Sequence, residues 1–144
     1  LTATGLGSGY APAAPGTAGT LVGIPLYLAL SSLPWPFYLV AIIILALLAV
    51  YVAGKAEKIF AEKDSQKIVI DEIVGLQFSM FLVSPTVLHV IAGFFLFRLF
   101  DIFKIFPARK CERFSGGAGI VADDIVAGIY ANIALLLSVE FLHL

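Results

Sequence analysis

The chain has 144 residues, 60% of them hydrophobic and 13% charged, with a formal net charge of −1 and a mean hydropathy of +1.02. Soluble domains hold about 45 to 50% apolar and about 25% charged residues, so this composition excludes an ordinary globular protein and reads as an integral membrane protein. The length suits a single domain over residues 1–144.

The charges are segregated: none occurs in residues 1–54 and none in 73–97. The net charge therefore says nothing about nucleic acid, and no nucleic-acid partner is expected. No basic region precedes the first apolar run, so a cleavable signal peptide is not expected. The single cysteine, Cys111, excludes an intrachain disulfide. No internal repeat or low-complexity tract stands out.

Residues 1–20 are rich in Gly, Ala, Pro, Ser and Thr, with Gly5, Gly7, Ser8 and Gly9 followed by Ala14-Pro15-Gly16-Thr17-Ala18-Gly19-Thr20. Such a segment breaks helices and leaves backbone N–H groups open, as an anion-cradling loop requires, although a small-residue loop packed on helices has the same composition. Residues 21–33 form a helix capped by Thr20, short for a full membrane span. Pro34-Trp35-Pro36 makes a turn with an interfacial tryptophan, and 37–53 is a continuous apolar helix able to cross the bilayer.

Residues 55–67 alternate lysines with Glu57, Glu62 and Asp64, a solvated helix or helix pair. The chain turns apolar at Ile68, is interrupted by Asp71-Glu72, and runs on through 73–83. Ser84-Pro85-Thr86 breaks the run, and 87–97 completes an apolar helical hairpin. Arg98, Asp101 and Lys104, spaced by three, fall on one side of its continuation. After Pro107 and a basic loop come Gly116-Gly117, Gly119 and Asp123-Asp124, the last two in the opening turns of a final helix over 120–142. The expected architecture is therefore an all-α, polytopic membrane bundle of about five helices.

Counting the connections alternately inside and outside gives a test that uses no motif. Eight of the nine Lys and Arg residues fall in the third and fifth connections, Arg98 adjoins the fifth, and the opposite-side connections have none. Positive charge retained in the cytoplasm then puts the glycine loop, both carboxylate doublets and Arg98/Asp101/Lys104 at the cytoplasmic face. Carboxylates in a first helical turn also interact favourably with the helix dipole, but two doublets plus a third aspartate among basic neighbours favour a site.

Asp71, Glu72, Asp101, Asp123 and Asp124 suit a hard cation such as Mg²⁺, which takes oxygen ligands. His89 and His143 lie toward the opposite side, which argues against zinc. A cysteine-nucleophile phosphatase needs an arginine six positions after the cysteine, and Gly117 stands there. Metal-assisted hydrolysis of a phosphate ester is the economical mechanism left, with an aspartyl-phosphate route also open.

Gly7-Ser8-Gly9, Ala14-Pro15-Gly16-Thr17 with Gly19-Thr20, Ile70-Asp71-Glu72 with Gly75, Phe97-Arg98 with Asp101 and Lys104, and Gly116-Gly117-x-Gly119 with Asp123-Asp124 and Ala127-Gly128 occur in that order. Together they resemble the phosphatidylglycerophosphatase A family over nearly the whole chain. Ile105 departs from the proline usual in the third block. The resemblance implies a bacterial inner-membrane, multi-pass, Mg²⁺-dependent lipid phosphatase. It would convert phosphatidylglycerophosphate to phosphatidylglycerol, with its site facing the cytoplasm.

On that reading Asp71, Glu72, Asp123 and Asp124 hold Mg²⁺, and Asp101 is a further ligand or the water-orienting base. Lys104, Arg98 and the glycine loop, through Gly7, Ser8, Gly16 and Thr17, bind phosphate. The expected partners are the lipid substrate and the bilayer, and the oligomeric state stays open. Alternatives are a transporter or channel with interfacial carboxylates, and a phosphatase acting on another phosphorylated lipid.

Overall fold

The computed structural model describes residues 4–5, 15–60, 69–103 and 117–143, and among them every regular element is an α-helix. In chain order they are α1 (Pro15–Leu30), α2 (Trp35–Phe60), α3 (Ile70–Ser79), α4 (Val87–Phe103) and α5 (Gly117–Leu142). Five helices among the described residues agree with the expected number of about five, but several boundaries differ. Helix α1 ends at Leu30, α2 takes in Trp35 and Pro36 of the expected turn, α5 starts at Gly117, and three further differences have physical reasons.

The first helix starts at Pro15, not after Thr20. Proline suits a helix's first position because its missing N–H would have no intrahelical partner there. Thr20 is no cap: it is mid-helix, fully buried, and its hydroxyl donates back to Gly16 O at 2.8 Å. Gly16 and Gly19, read from composition as loop glycines, are instead places of close approach: a Cβ on Gly19 would fall 2.6 Å from Val69 Cβ.

Helix α2 extends past residue 53 through the start of the charged stretch to Phe60, with Lys55 lying over the Tyr51 ring. Residues 61–68 lie outside the described residues. Helix α3 begins at Ile70, so Asp71 and Glu72 occupy its first turn, and it ends after 10 residues at Ser79. Its length of about 15 Å is half a bilayer core. The chain turns through 80–86, with Leu82 at a left-handed φ of 63°, before α4 begins.

Large side chains such as Tyr27, Leu76, Met80 and Phe97 fill one part of the core, but the second half of α2 turns small side chains inwards. Tyr38 and Ile42 are buried near the start of α2, and from there on the buried positions are Ala46, Ala49, Ala53 and Ala56, while Phe37, Ile44, Leu47 and Tyr51 face outwards. Trp35–Ile59 and Gly117–Leu142 are long and apolar enough to cross a membrane. Small residues inside and large apolar residues outside are the pattern of helices that associate in lipid, where close backbone approach replaces the hydrophobic driving force.

Glycine contacts set the bundle's geometry. Gly117 packs on the Val50 carbonyl and Gly54 of α2, Gly93 of α4 on the Met80 sulfur, and Gly75 of α3 on the Phe97 ring. Gly128 of α5 lies against the Gly75 carbonyl. The starts of α1, α3 and α5 therefore gather at one end of the bundle with the finishing ends of α2 and α4.

Gly128→Ala would drive a methyl group into the Gly75 carbonyl, and only separation of α3 from α5 relieves it. The expected loss is about 1–3 kcal/mol, read as a lowered unfolding midpoint in detergent. Gly54→Ala, whose Cβ would sit 3.4 Å from Gly117 N, should cost little by the same measurement.

Candidate functional site

Four helix ends meet at one end of the bundle, each carrying one of the polar groups singled out in the sequence. The first turn of α3 brings Asp71 and Glu72, the second turn of α5 brings Asp123 and Asp124, the last turns of α4 bring Arg98 and Asp101, and the start of α1 brings Gly16 and Thr17. Asp71, Asp123 and Asp124 are 6%, 5% and 2% exposed, a degree of burial that carboxylates tolerate only with compensating charge or hydrogen bonds.

Asp71, Glu72 and Asp124 each offer a carboxylate oxygen within 4.8 Å of the other two. Asp71 Oδ1, Glu72 Oε2 and Asp124 Oδ2 are buried and have no hydrogen-bond partner among the described residues. Burial pushes the Asp71 carboxyl well above its usual range, and the neighbouring Glu72 charge adds to the effect. Glu72 is raised as well, chiefly by burial, with the Arg98 guanidinium opposing. Three converging, under-satisfied oxygen donors fit a hard divalent cation, which takes carboxylate and water oxygens.

Asp123 is buried in the same turn as Asp124 and adds negative charge near Asp71. It is not one of the three converging ligands, so of the two doublets the structure brings together Asp71, Glu72 and Asp124. Asp101 lies against Asp124 and forms an ion pair with Arg98, Nη1 to Oδ2 at 2.6 Å. Spacing by three along α4 puts both groups on one face, as the sequence predicts.

Gly16 closes the site from the α1 side. A Cβ there would stand 2.9 Å from Glu72 Oε1 and 3.3 Å from Arg98 Nη1, so the absence of a side chain lets the helix start sit directly on the charged groups. Thr17 follows in the same turn, and the N–H groups of this turn have no intrahelical acceptor. Gly7, Ser8 and Lys104 lie outside the described residues. His89, at the far end, pairs through Nδ1 with Ser84 O at 3.0 Å, and His143 follows the end of α5, so both histidines stand away from the carboxylates as expected.

The sequence reading passes over two features. One is a short repeat, Ile68-Val69-Ile70-Asp71-Glu72-Ile73-Val74 and Ile120-Val121-Ala122-Asp123-Asp124-Ile125-Val126, in which five of seven positions are identical. Comparing the two doublets with their flanks would have revealed it. The other is the set of polar side chains inside apolar runs, Tyr27, Tyr38, Gln77 and Asn132, which bond to backbone carbonyls around the far end of α3.

A family model described as phosphatidylglycerophosphatase A matches residues 1–139. A phosphatidylglycerophosphatase A of Escherichia coli is 38% identical over 131 residues, covering 90% of this chain and 76% of that protein. Its namesake in Haemophilus influenzae is 39% identical over 139 residues, covering 94% and 85%. A Bacteroides thetaiotaomicron protein, named as a candidate phosphatidylinositol-3-phosphatase, is 39% identical over 145 residues, covering 94% and 89%. No solved structure matches the chain.

If the three oxygens share a cation, the folded protein gains stability from it. Mg²⁺ at about 100 times its dissociation constant should add about 2.7 kcal/mol, seen as a rise in unfolding temperature. Asp124→Asn should abolish that rise while keeping the helical circular dichroism of the parent.

Proposed function

The chain belongs to the phosphatidylglycerophosphatase A family, and from that premise we propose that it is a Mg²⁺-dependent lipid phosphatase. It hydrolyses phosphatidylglycerophosphate to phosphatidylglycerol and phosphate at the cytoplasmic face of a bacterial inner membrane, which it crosses several times. The observation that carries the cation's role is the convergence of Asp71, Glu72 and Asp124 from two helices.

Asp71, Glu72 and Asp124 would hold the cation. When bound, Mg²⁺ supplies Lewis acidity to the phosphoryl group and lowers the pKa of an attacking water. Arg98, aimed by its ion pair with Asp101, neutralises charge on the phosphate, and the N–H groups opening α1 at Gly16 and Thr17 receive its oxygens. Asp101 or Asp123 orients and deprotonates the water. Lys104 and the Gly7-Ser8 segment complete the phosphate contacts.

A diacyl substrate keeps its tails in the bilayer and offers its phosphate at the interface. A site at one end of an apolar bundle meets it there. Clustering of the acidic groups at that end, with apolar packing below, does not favour a transporter, whose relay groups spread through membrane depth. The candidate phosphatidylinositol-3-phosphatase relative favours a second reading, the same chemistry on a phosphoinositide.

The test is phosphate release from a panel of phospholipid monoesters in mixed micelles, with and without Mg²⁺. Phosphatidylglycerophosphate should turn over fastest, and excess chelator should stop the reaction until Mg²⁺ is restored. Asp123→Asn and Asp124→Asn should abolish turnover without changing helicity, while Arg98→Ala should lower kcat by roughly 10²–10³. Full activity in chelator would remove the metal's role, and a faster rate on a phosphoinositide would select the second reading.

A further inference from the structure

A helix leaves its last four carbonyls without intrahelical partners, and one that ends partway through an apolar bundle cannot give them to water. Every such carbonyl of α3 is accounted for. Leu76 O accepts from Met80 N at 3.1 Å, Phe78 O from Phe81 N at 3.3 Å, Gln77 O from Tyr38 Oη at 2.6 Å and Ser79 O from Asn132 Nδ2 at 3.0 Å. The same Asn132 amide also donates to Phe81 O at 2.6 Å, and Tyr27 Oη donates to Val83 O at 2.8 Å.

Helices α3 and α5 run parallel, and their contacts fall in register. Asp71 meets Asp124 at the charged end, Gly75 meets Gly128 in the middle, and Ser79 meets Asn132 at the far end; each pair is separated by 53 positions. The middle contact is smooth backbone on backbone, which brings the helices close but offers no bond against sliding. Asn132 does, because its amide holds two carbonyls, one in the last turn of α3 and one just beyond it.

We infer that Asn132 is a positioning residue for the carboxylate site: it fixes α3 lengthwise against α5, so that Asp71 and Glu72 stand opposite Asp124. Tyr38 supports the same end from α2. A slip of one residue would move the α3 carboxylates by about 1.5 Å and turn them by about 100°, enough to break three-way coordination. This inference deepens the cation reading above and rests on it.

The test titrates Mn²⁺ into the purified full chain in detergent, following free ion by electron paramagnetic resonance. Asn132→Ala should bind Mn²⁺ about 10-fold more weakly than the parent, with unchanged helical circular dichroism. Tyr38→Phe, which loses one hydroxyl, should weaken it to a smaller extent. Ser138→Ala, whose hydroxyl serves only its own helix through Ala134 O, should bind as the parent does. Parental affinity in Asn132→Ala overturns the inference, as does an equal loss in Ser138→Ala. Should Asn132→Ala fail to fold, Tyr38→Phe decides, and unchanged affinity there overturns it.

A parent chain that binds no Mn²⁺ would instead mark failure of the cation reading. Amide hydrogen exchange then judges the clamp by itself: faster exchange along 73–79 in Asn132→Ala supports it, and unchanged exchange overturns it.

Discussion

The contact on which the structure depends is the one between Gly75 and Gly128. With no side chain at either position, the backbones of α3 and α5 touch, and the carboxylates one turn earlier on each helix come within coordinating distance of one another. Two side chains at this crossing would spread the helices by the thickness of a methyl group or more. The electrostatic problem at the charged end thus has its origin in packing, since close approach of the backbones forces Asp71, Glu72 and Asp124 together in a buried place.

That crowding is offset in two ways. Arg98 stands among the carboxylates, pairing with Asp101 and opposing the charge on Glu72. The openings of α1, α3 and α5 all point to the same end, so three sets of partial positive charge favour anions there. Neither provides coordination for the three converging oxygens, and the donor set is that of a hard cation. A phosphate ester approaching this end meets a guanidinium, open backbone N–H groups and carboxylates within one small volume.

Much of this was legible in the sequence. Charge-free windows marked the helices, alternation of the connections put the doublets and Arg98 at one end, and spacing by three put Arg98 and Asp101 on one side of α4. The start of α1 was not legible, because proline and glycine at 15–20 read as loop by intrinsic preference, whereas contacts with Val69, Glu72 and Arg98 hold them in a helix. The early end of α3 was hidden as well: an apolar run continues to Val83, and only the side chains of Tyr27, Tyr38 and Asn132, distant in sequence, allow its carbonyls to turn away from the helix. Roles proposed for Gly7, Ser8 and Lys104 fall outside the described residues.

The most direct measurement is anomalous diffraction from crystals of the full chain grown with Mn²⁺ in place of Mg²⁺. The expected map has a peak about 2 Å from carboxylate oxygens of Asp71, Glu72 and Asp124 together, joining the first turn of α3 to α5. A peak bound to one helix alone, or none at this end of the bundle, would contradict a site built by the approach of the two.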